Sequence, residues 1–335
     1  MSGTDTLQRP LRDLRISVTD RCNFRCRYCM PAEIFGANYA YLPREEILRF
    51  SEIETLARSF VSLGVRKLRL TGGEPLMRRD LHVLVEKLAS IEGVEDIAMT
   101  TNASLLARNA QKLADAGLHR VTVSLDALDN SIFGKMNGVG AKADRVIEGI
   151  DAALAAGLGV KINAVVQKGI NESELLPLAE FAYARNIPIR YIEFMDTGNT
   201  NGWKHEQVVP SQKVLELLQE SFPLVPVADS AIGETAKRYH VEGRSGFEVG
   251  FISSVTKPFC SACNRIRLSA DGHLYTCLFA QSGYDIKSPL RNGGTPEQLM
   301  SHISALWGKR DDRYSELRSA GMAPVAKKEM SYLGG

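Results

Sequence analysis

"LRISVTDRCNFRCRYCMP" (residues 14–31) carries two patterns that meet end to end. The first part alternates, with Leu14, Ile16 and Val18 on one face and Arg15, Ser17 and Thr19 on the other, the two-residue period of a strand. Directly after it, Cys22, Cys26 and Cys29 follow in CxxxCxxC spacing. Further strands are predicted at "RKLRLT" (66–71), "DIAMTT" (96–101), "RVTVSL" (120–125), "VKINAVV" (160–166) and "PIRYIEFM" (188–195). Helix-period segments stand between them, among them "REEILRFSEIETLARSFVSLG" (44–64) and "SELLPLAEFAYARN" (173–186). Repeated strand–helix units imply a parallel sheet. Six of them predict an α/β fold, an incomplete (β/α)6 barrel of TIM type.

Side-chain parity predicts what lies inside that barrel. In the second strand Leu68 and Leu70 oppose Lys67, Arg69 and Thr71. In the fourth, Val121, Val123 and Leu125 oppose Thr122, Ser124 and Asp126. In the fifth, Val160, Ile162 and Ala164 oppose Lys161 and Asn163. The third is less regular, though Thr100 and Asn102 fall together, and the sixth does not sort. A closed barrel fills its interior with branched apolar side chains, and burying Arg15, Lys67, Arg69 and Lys161 unpaired would be prohibitive. An open sheet with its polar face in water is the alternative, but parallel sheets rarely leave a face uncovered. The expectation is a cationic lumen that takes an anion.

The chain has 335 residues, enough for one large domain or two unequal ones. The pattern changes in the turn-rich "PLVPVADSAIGETAKRYHVEGRSG" (223–246). The expected division is therefore residues 1–230 for the partial barrel and 231–335 for a smaller C-terminal region. A formal net charge of +2 is too mild for a general nucleic-acid binder. No apolar run is long enough to span a membrane, and "MSGTDTLQRPLRDLR" (1–15) holds no secretory signal. The expected location is the cytoplasm, where cysteines read as metal ligands or catalysts rather than disulfides.

The six cysteines form two sets of three, the second being Cys260, Cys263 and Cys277. A CxxC alone suggests a zinc site, which His240, His273 or His302 could complete. A four-iron cube held by three thiolates leaves one iron for a non-protein ligand, and here the same gap occurs twice. Spacing alone leaves both readings open.

The CxxxCxxC loop, with Tyr28 before its third cysteine and "TGGEP" (71–75) ending the second strand, resembles the radical S-adenosylmethionine (SAM) superfamily. "FCSACNRIRLSADGHLYTCLF" (259–279), with "TGGEPLMRRDL", "VSLDAL", "VKINAVV" and "YIEFMDTGN" in order, is similar to the GTP 3′,8-cyclase family of molybdenum cofactor biosynthesis over essentially the full chain. The resemblance implies a lyase with two 4Fe-4S clusters. The first, on Cys22, Cys26 and Cys29, binds SAM through its open iron. The second, on Cys260, Cys263 and Cys277, contacts the guanine of GTP. SAM is split to a 5′-deoxyadenosyl radical that removes the ribose 3′ hydrogen, and the carbon radical closes onto C8.

By the same resemblance Tyr28, Gly72, Gly73, Glu74, Ser124 and Met195 belong to the SAM site. Arg15, Lys67, Arg69, Thr100, Lys161, Arg265 and Arg267 belong to the GTP site. Arg15, Gly334 and Gly335 take catalytic roles, the two glycines through a tail reaching into the site. The glycines of TGGEP are expected to let backbone approach a ligand. Implied partners are GTP, an external electron donor and the cyclic pyranopterin monophosphate synthase that takes the product. A homodimer is compatible with this; nucleic acid and membranes are not expected. Rival readings are a peptide-modifying radical SAM maturase and a non-enzymatic iron–sulfur or zinc sensor. No GxxxxGK[ST] occurs, so any phosphates are not held by a P-loop. In "TTNAS" (100–104), Ala103 stands where the family usually has glycine.

Overall fold

The computed structural model describes residues 3–227, 233–320 and 326–334. Strands β1 (Asp13–Ser17), β2 (Lys67–Thr71), β3 (Asp96–Thr101), β4 (Arg120–Ser124), β5 (Gly159–Val166) and β6 (Ile189–Glu193) are successive parallel neighbours. Each lies within two residues of its predicted bounds. Helices α1 (Phe50–Ser62), α2 (Leu81–Ala89), α3 (Ala110–Asp115), α4 (Asn130–Asn137), α5 (Ala143–Ala155) and α6 (Leu175–Ala184) fill the crossovers.

Local chemistry sets these elements. In α1 the buried Ile53, Leu56, Ala57, Phe60 and Val61 fall on one helical stripe. Its start is fixed by Glu52 Oε2, which accepts the Arg49 backbone N–H at 2.6 Å. That stripe joins Leu14, Ile16, Leu68 and Leu70, all buried, in one continuous core on the outer face of the sheet.

The C-terminal region supplies β7 (Leu224–Pro226), β8 (Lys237–Val241), β9 (Arg244–Ile252), β10 (Arg265–Leu268), β11 (His273–Tyr275) and β12 (Tyr284–Asp285). These do not form a separate layer. The strand order is β12-β11-β10-β1-β2-β3-β4-β5-β6-β9-β8-β7, with β10 parallel to β1 and β9 parallel to β6. The C-terminal region thus extends the barrel sheet at both edges, and each edge ends in antiparallel strands. The barrel stays open, since the terminal strands do not pair with each other. The expected division at 230/231 falls outside the described residues. No helix among the described residues is long and apolar enough to cross a membrane.

Candidate active site

Parallel pairing places residues of equal register in rows across the sheet. Asp13 stands between Arg265 and Lys67, and Lys67 is followed by Asp96, so that row alternates in charge. Asp96 is further held by Arg120, whose Nε donates to Oδ1 at 2.9 Å. Two residues along, the row reads Arg267, Arg15, Arg69, with no acid among them. Like charges directly opposite on neighbouring strands destabilise a sheet.

The Nε atoms of Arg15, Arg69, Arg265 and Arg267 are buried without a partner among the described residues. Arg69 Nη1 reaches Thr122 Oγ1 at 3.1 Å and Thr100 Oγ1 at 3.4 Å. Burial and then Arg265 lower the Arg15 pKa to about 9. Burial, Arg15 and Arg265 lower Arg267 to about 9, and burial lowers Arg69 to about 10. Buried unpaired cations in a row are prohibitive without an anion.

These arginines face a cavity of about 310 Å³ whose wall includes all six cysteines. Cys22, Cys26 and Cys29 follow β1 and so lie at the C-terminal ends of the parallel strands. Cys260 and Cys263 precede β10, which runs parallel to β1, and β11 returns antiparallel, so Cys277 joins them at the N-terminal ends. The strands between the triads rise roughly 16 Å, at about 3.3 Å per residue. The arginine row lies within that span.

The first triad fits an iron–sulfur cluster by the chemistry of its donors. Cys29 N and Met30 N both donate to Cys26 O, at 2.9 and 2.7 Å, closing the loop on itself. Phe24 N donates to Cys22 Sγ at 3.4 Å and Asn102 Nδ2 reaches it at 3.8 Å, N–H···S contacts of the kind that tune a cluster. Burial, then Glu74, pushes the Cys22 thiol up to about 11. Burial and neighbouring thiols raise Cys26 and Cys29. Such thiols hold their protons until a metal displaces them. His240, His273 and His302 are absent from the cavity wall. His273 Nδ1 lies 3.0 Å from Asp271 Oδ2, and His302 Nδ1 lies 2.5 Å from Tyr284 Oη. No three His, Cys, Asp or Glu side chains among the described residues gather around a single-ion position.

At the second triad Arg265 Nη2 donates to Cys263 Sγ at 3.3 Å, and Phe279 N donates to Cys277 Sγ at 3.5 Å. Burial alone would raise the Cys263 thiol, but Arg265, Arg310 and Arg267 outweigh it and hold the pKa at about 6.

Of the residues expected around SAM, Tyr28, Gly72, Gly73, Ser124 and Met195 line the cavity. Tyr28 is oriented by Asp126, whose Oδ2 accepts its hydroxyl at 2.8 Å. Glu74 is not on the wall. Its Oε1 accepts Thr101 Oγ1 at 2.7 Å and Leu76 N at 3.0 Å, and its Oε2 accepts Asn102 N at 2.7 Å. Burial raises its pKa to about 7. The glycines also serve differently from expectation. A Cβ on Gly72 would strike the Thr19 carbonyl, and one on Gly73 the Arg21 carbonyl. Their close approach is to the cysteine-loop backbone, sealed by Gly73 N to Thr19 O at 2.9 Å and Glu74 N to Arg21 O at 2.8 Å.

Of the residues expected around GTP, Arg15, Arg69, Thr100, Arg265 and Arg267 line the cavity; Lys67 and Lys161 do not. Lys67 is exposed at the start of β2, where Asp13 and Asp96 already flank it. Lys161 lies one strand position below the wall residue Asn163, with its pKa lowered to about 8 by burial, then Arg190 and Arg120.

Two wall cations escaped the sequence reading. Arg190 is paired with Glu234 at 3.6 Å, and Arg310 donates from Nη1 to Cys263 O at 2.7 Å. Arg190 was hidden because Glu193 breaks the polarity pattern of β6. The Glu193 carboxylate accepts Ser211 N, Val255 N and Thr256 N, each at 2.9 Å, and Arg190 and Ile192 share the opposite parity on the wall.

Gly334, at φ 75°, lies so close to the end of β2 that a Cβ would strike Thr71 Oγ1. Gly335 lies outside the described residues. Ala103 does take the left-handed conformation, at φ 57°.

The radical SAM superfamily model matches residues 16–182, and the Molybdenum Cofactor Synthesis C model matches residues 187–316. The GTP 3′,8-cyclase of Staphylococcus carnosus (strain TM300) is 49% identical over 336 residues, covering 99% of this chain and 98% of that protein. That of Staphylococcus aureus (strain MRSA252) is 49% identical over 335 residues, with the same coverage. Among solved structures, Streptococcus suis SuiB bound to S-adenosylmethionine superposes with a TM-score of 0.62 at 16% identity, covering 89% of this chain and 69% of that one. That likeness speaks for the fold alone. On half-identity across nearly the whole of both chains, this protein belongs to the GTP 3′,8-cyclase family of radical SAM enzymes.

Proposed function

We propose that this chain is a lyase that converts GTP to (8S)-3′,8-cyclo-7,8-dihydroguanosine 5′-triphosphate in molybdenum cofactor biosynthesis. The observation that supports it is a single cavity walled by both cysteine triads, with the arginine row between them. Cys22, Cys26 and Cys29 would hold a 4Fe-4S cluster, with SAM against Tyr28, Gly72, Gly73, Ser124 and Met195. When bound, that pair supplies a 5′-deoxyadenosyl radical able to remove the ribose 3′ hydrogen. Cys260, Cys263 and Cys277 would hold a second 4Fe-4S cluster facing the guanine.

Arg267, Arg15 and Arg69 take the triphosphate, satisfying Nε groups that are otherwise orphaned. With Thr100 and Arg190 they fix the ribose between the triads, so C3′ and C8 are presented in one orientation. Phe24, Phe133, Phe194 and Phe259 on the wall exclude water from the reacting carbon. Glu74 acts by bracing Thr101 and Asn102 beneath SAM, and Lys161 adds charge from below the wall. Gly334, beside Thr71 at the SAM end, and the terminal Gly335 would assist radical initiation. Residues 1–230 carry the SAM half and 231–335 the second-cluster half. An external donor supplies electrons, and the product passes to cyclic pyranopterin monophosphate synthase, in the cytoplasm.

The test is anaerobic. Protein reconstituted with iron and sulfide is given SAM and a strong reductant, and 5′-deoxyadenosine is quantified with GTP, with ATP or with neither. Formation stimulated by GTP alone, together with a guanosine-derived product, is expected. Cleavage indifferent to nucleotide, or dependent on a peptide, would sink the proposal.

A further inference from the structure

The described C-terminal segment, residues 326–334, is tied down by polar contacts that the chemistry above does not use. On the side of the loop after β6, Glu329 Oε1 accepts Asn199 N at 3.0 Å and Oε2 accepts Thr200 Oγ1 at 3.0 Å. Lys327 N donates to Asn199 Oδ1 at 2.9 Å, and its Nζ to Asp196 Oδ2 at 2.6 Å. On the side of the second triad, Lys328 N donates to Ala280 O at 3.0 Å, and the Tyr332 hydroxyl donates to Asp271 Oδ2.

Asp271 is itself held in place. Ser269 Oγ donates to its Oδ1 at 2.5 Å, and His273 Nδ1 stands 3.0 Å from its Oδ2. The Tyr332 ring meets Tyr275 edge-on, with centroids 6.3 Å apart. Next along the chain, Leu333 is fully buried and Gly334 abuts Thr71.

We infer that Asp271 and Tyr332 form a latch that seats the C-terminal segment and so positions Gly334 at the end of β2. Helix Met330–Leu333 is a single turn, too short to hold itself, so tertiary contacts must fix its place. A phenol donating to an ionised carboxylate is a charge-assisted bond, and of the contacts named it stands nearest in sequence to Gly334. Asp271 and Tyr332 are positioning residues, since neither lines the cavity. What Gly334 does once seated rests on the function proposed above; the seating does not.

The test uses the iron-loaded full-length protein and follows release of the terminal glycines by a carboxypeptidase, read by mass spectrometry. Tyr332→Phe keeps the ring and loses only the hydroxyl. Release is expected to accelerate roughly tenfold or more, as for loss of one hydrogen bond to a charged group. Asp271→Asn should act in the same direction, and the double variant should be no faster than the faster single, because the two act as one unit. SAM and GTP dissociation constants should stay within about twofold while turnover at saturation falls. Equal release from parent and Tyr332→Phe, or additive effects in the double variant, overturns the latch. If Asp271→Asn does not fold, Tyr332→Phe decides alone. Faster release from Tyr332→Phe, with a parent that makes no GTP-stimulated 5′-deoxyadenosine, upholds the latch and removes the cyclase reading instead.

Discussion

Cys29, at the C-terminal ends of the strands, and Cys263, at their N-terminal ends, are both half-buried thiols on tight loops. Burial and Cys22 push the first up, whereas Arg265, Arg310 and Arg267 draw the second down to about 6. The difference comes from the neighbourhoods. Around the first triad stand Glu74, Asp126 and Glu329; Cys263 in the second is ruled by Arg265, Arg310 and Arg267, while Cys277 beside it is pushed up to about 11 by burial and then Asp312. The two ends of the lumen therefore differ in field at Cys29 and Cys263, which on the reading proposed above would help sort two ligands of opposite charge. The sulfonium and ammonium of SAM suit the acidic end, and a triphosphate suits the arginine row. The same ligand atom can thus be set to two tasks by what surrounds it.

The largest expected effects break the comparison outright. Cys26→Ala should reduce SAM cleavage to background, because the open iron it helps hold is lost. On the two-cluster reading proposed above, Cys263→Ala should instead keep reductant-driven cleavage and about half of the iron, while abolishing the cyclised nucleotide. Iron analysis beside 5′-deoxyadenosine measurement separates the two; identical losses in both variants would remove the division of labour.

Next in size is the arginine row. Arg15→Met should weaken GTP roughly 10–100-fold through a lost charge-assisted contact, and leave SAM binding within about twofold. In the nucleotide-free protein the same change should raise the melting temperature, since it removes a buried cation flanked by Arg267 and Arg69. Calorimetric titration and thermal unfolding check both halves, and a lower melting temperature would show the row is not strained.

Lys161 gives a smaller effect with a defined pH window. Its folded pKa, about 8, lies below its ordinary value of 10.5, so between these the unfolded chain binds the extra proton. Stability contributed at this site must therefore rise as pH increases through that window, and the penalty is fully present below about 8. Lys161→Met should melt higher than the parent at pH 7, and the gap should narrow from about pH 8 and close only above pH 10.5. A gap independent of pH would deny the burden on this lysine.

The smallest effect is at the acidic end. Ala103→Gly relieves a left-handed alanine, worth about 1 kcal/mol, but gives up a buried methyl of about 0.8 kcal/mol. Thermal unfolding should shift by no more than about 2 °C. The pocket for that methyl is made by Gly149, where a Cβ would lie 3.2 Å from the one on Ala103.

The sequence was most readable where a strand is buried on one face by helices and lined on the other by charge. The inward placement of Arg15 and Arg69 follows from alternation alone, and that of Thr100 from a less regular strand. Parity, though, says which face a side chain takes and not how deep it sits, so Lys67 and Lys161 were placed with the wall residues they underlie. Arg190 was lost because Glu193, a carboxylate absorbed by backbone amides, breaks the alternation of β6. Arg310 lies far from any strand and joins the second triad through tertiary packing alone. The insertion of β9 and β10 into the barrel sheet is likewise a matter of partner choice, which a local pattern does not contain. Gly72 and Gly73 were recognised by motif, but the neighbour they accommodate is protein backbone.

The row Arg267, Arg15, Arg69 makes this barrel an ion exchanger before it makes it an enzyme. On the reading proposed above, side chains so arranged would attract any small polyanion and not GTP alone, each entry trading one counter-ion population for another. Occupancy by GTP is then a ratio of concentrations, set as much by the competing small polyanions as by the fit of the guanine. On that same reading, ionic strength would govern occupancy of the site, and selectivity would have to come from the far end, where the base would meet the second triad.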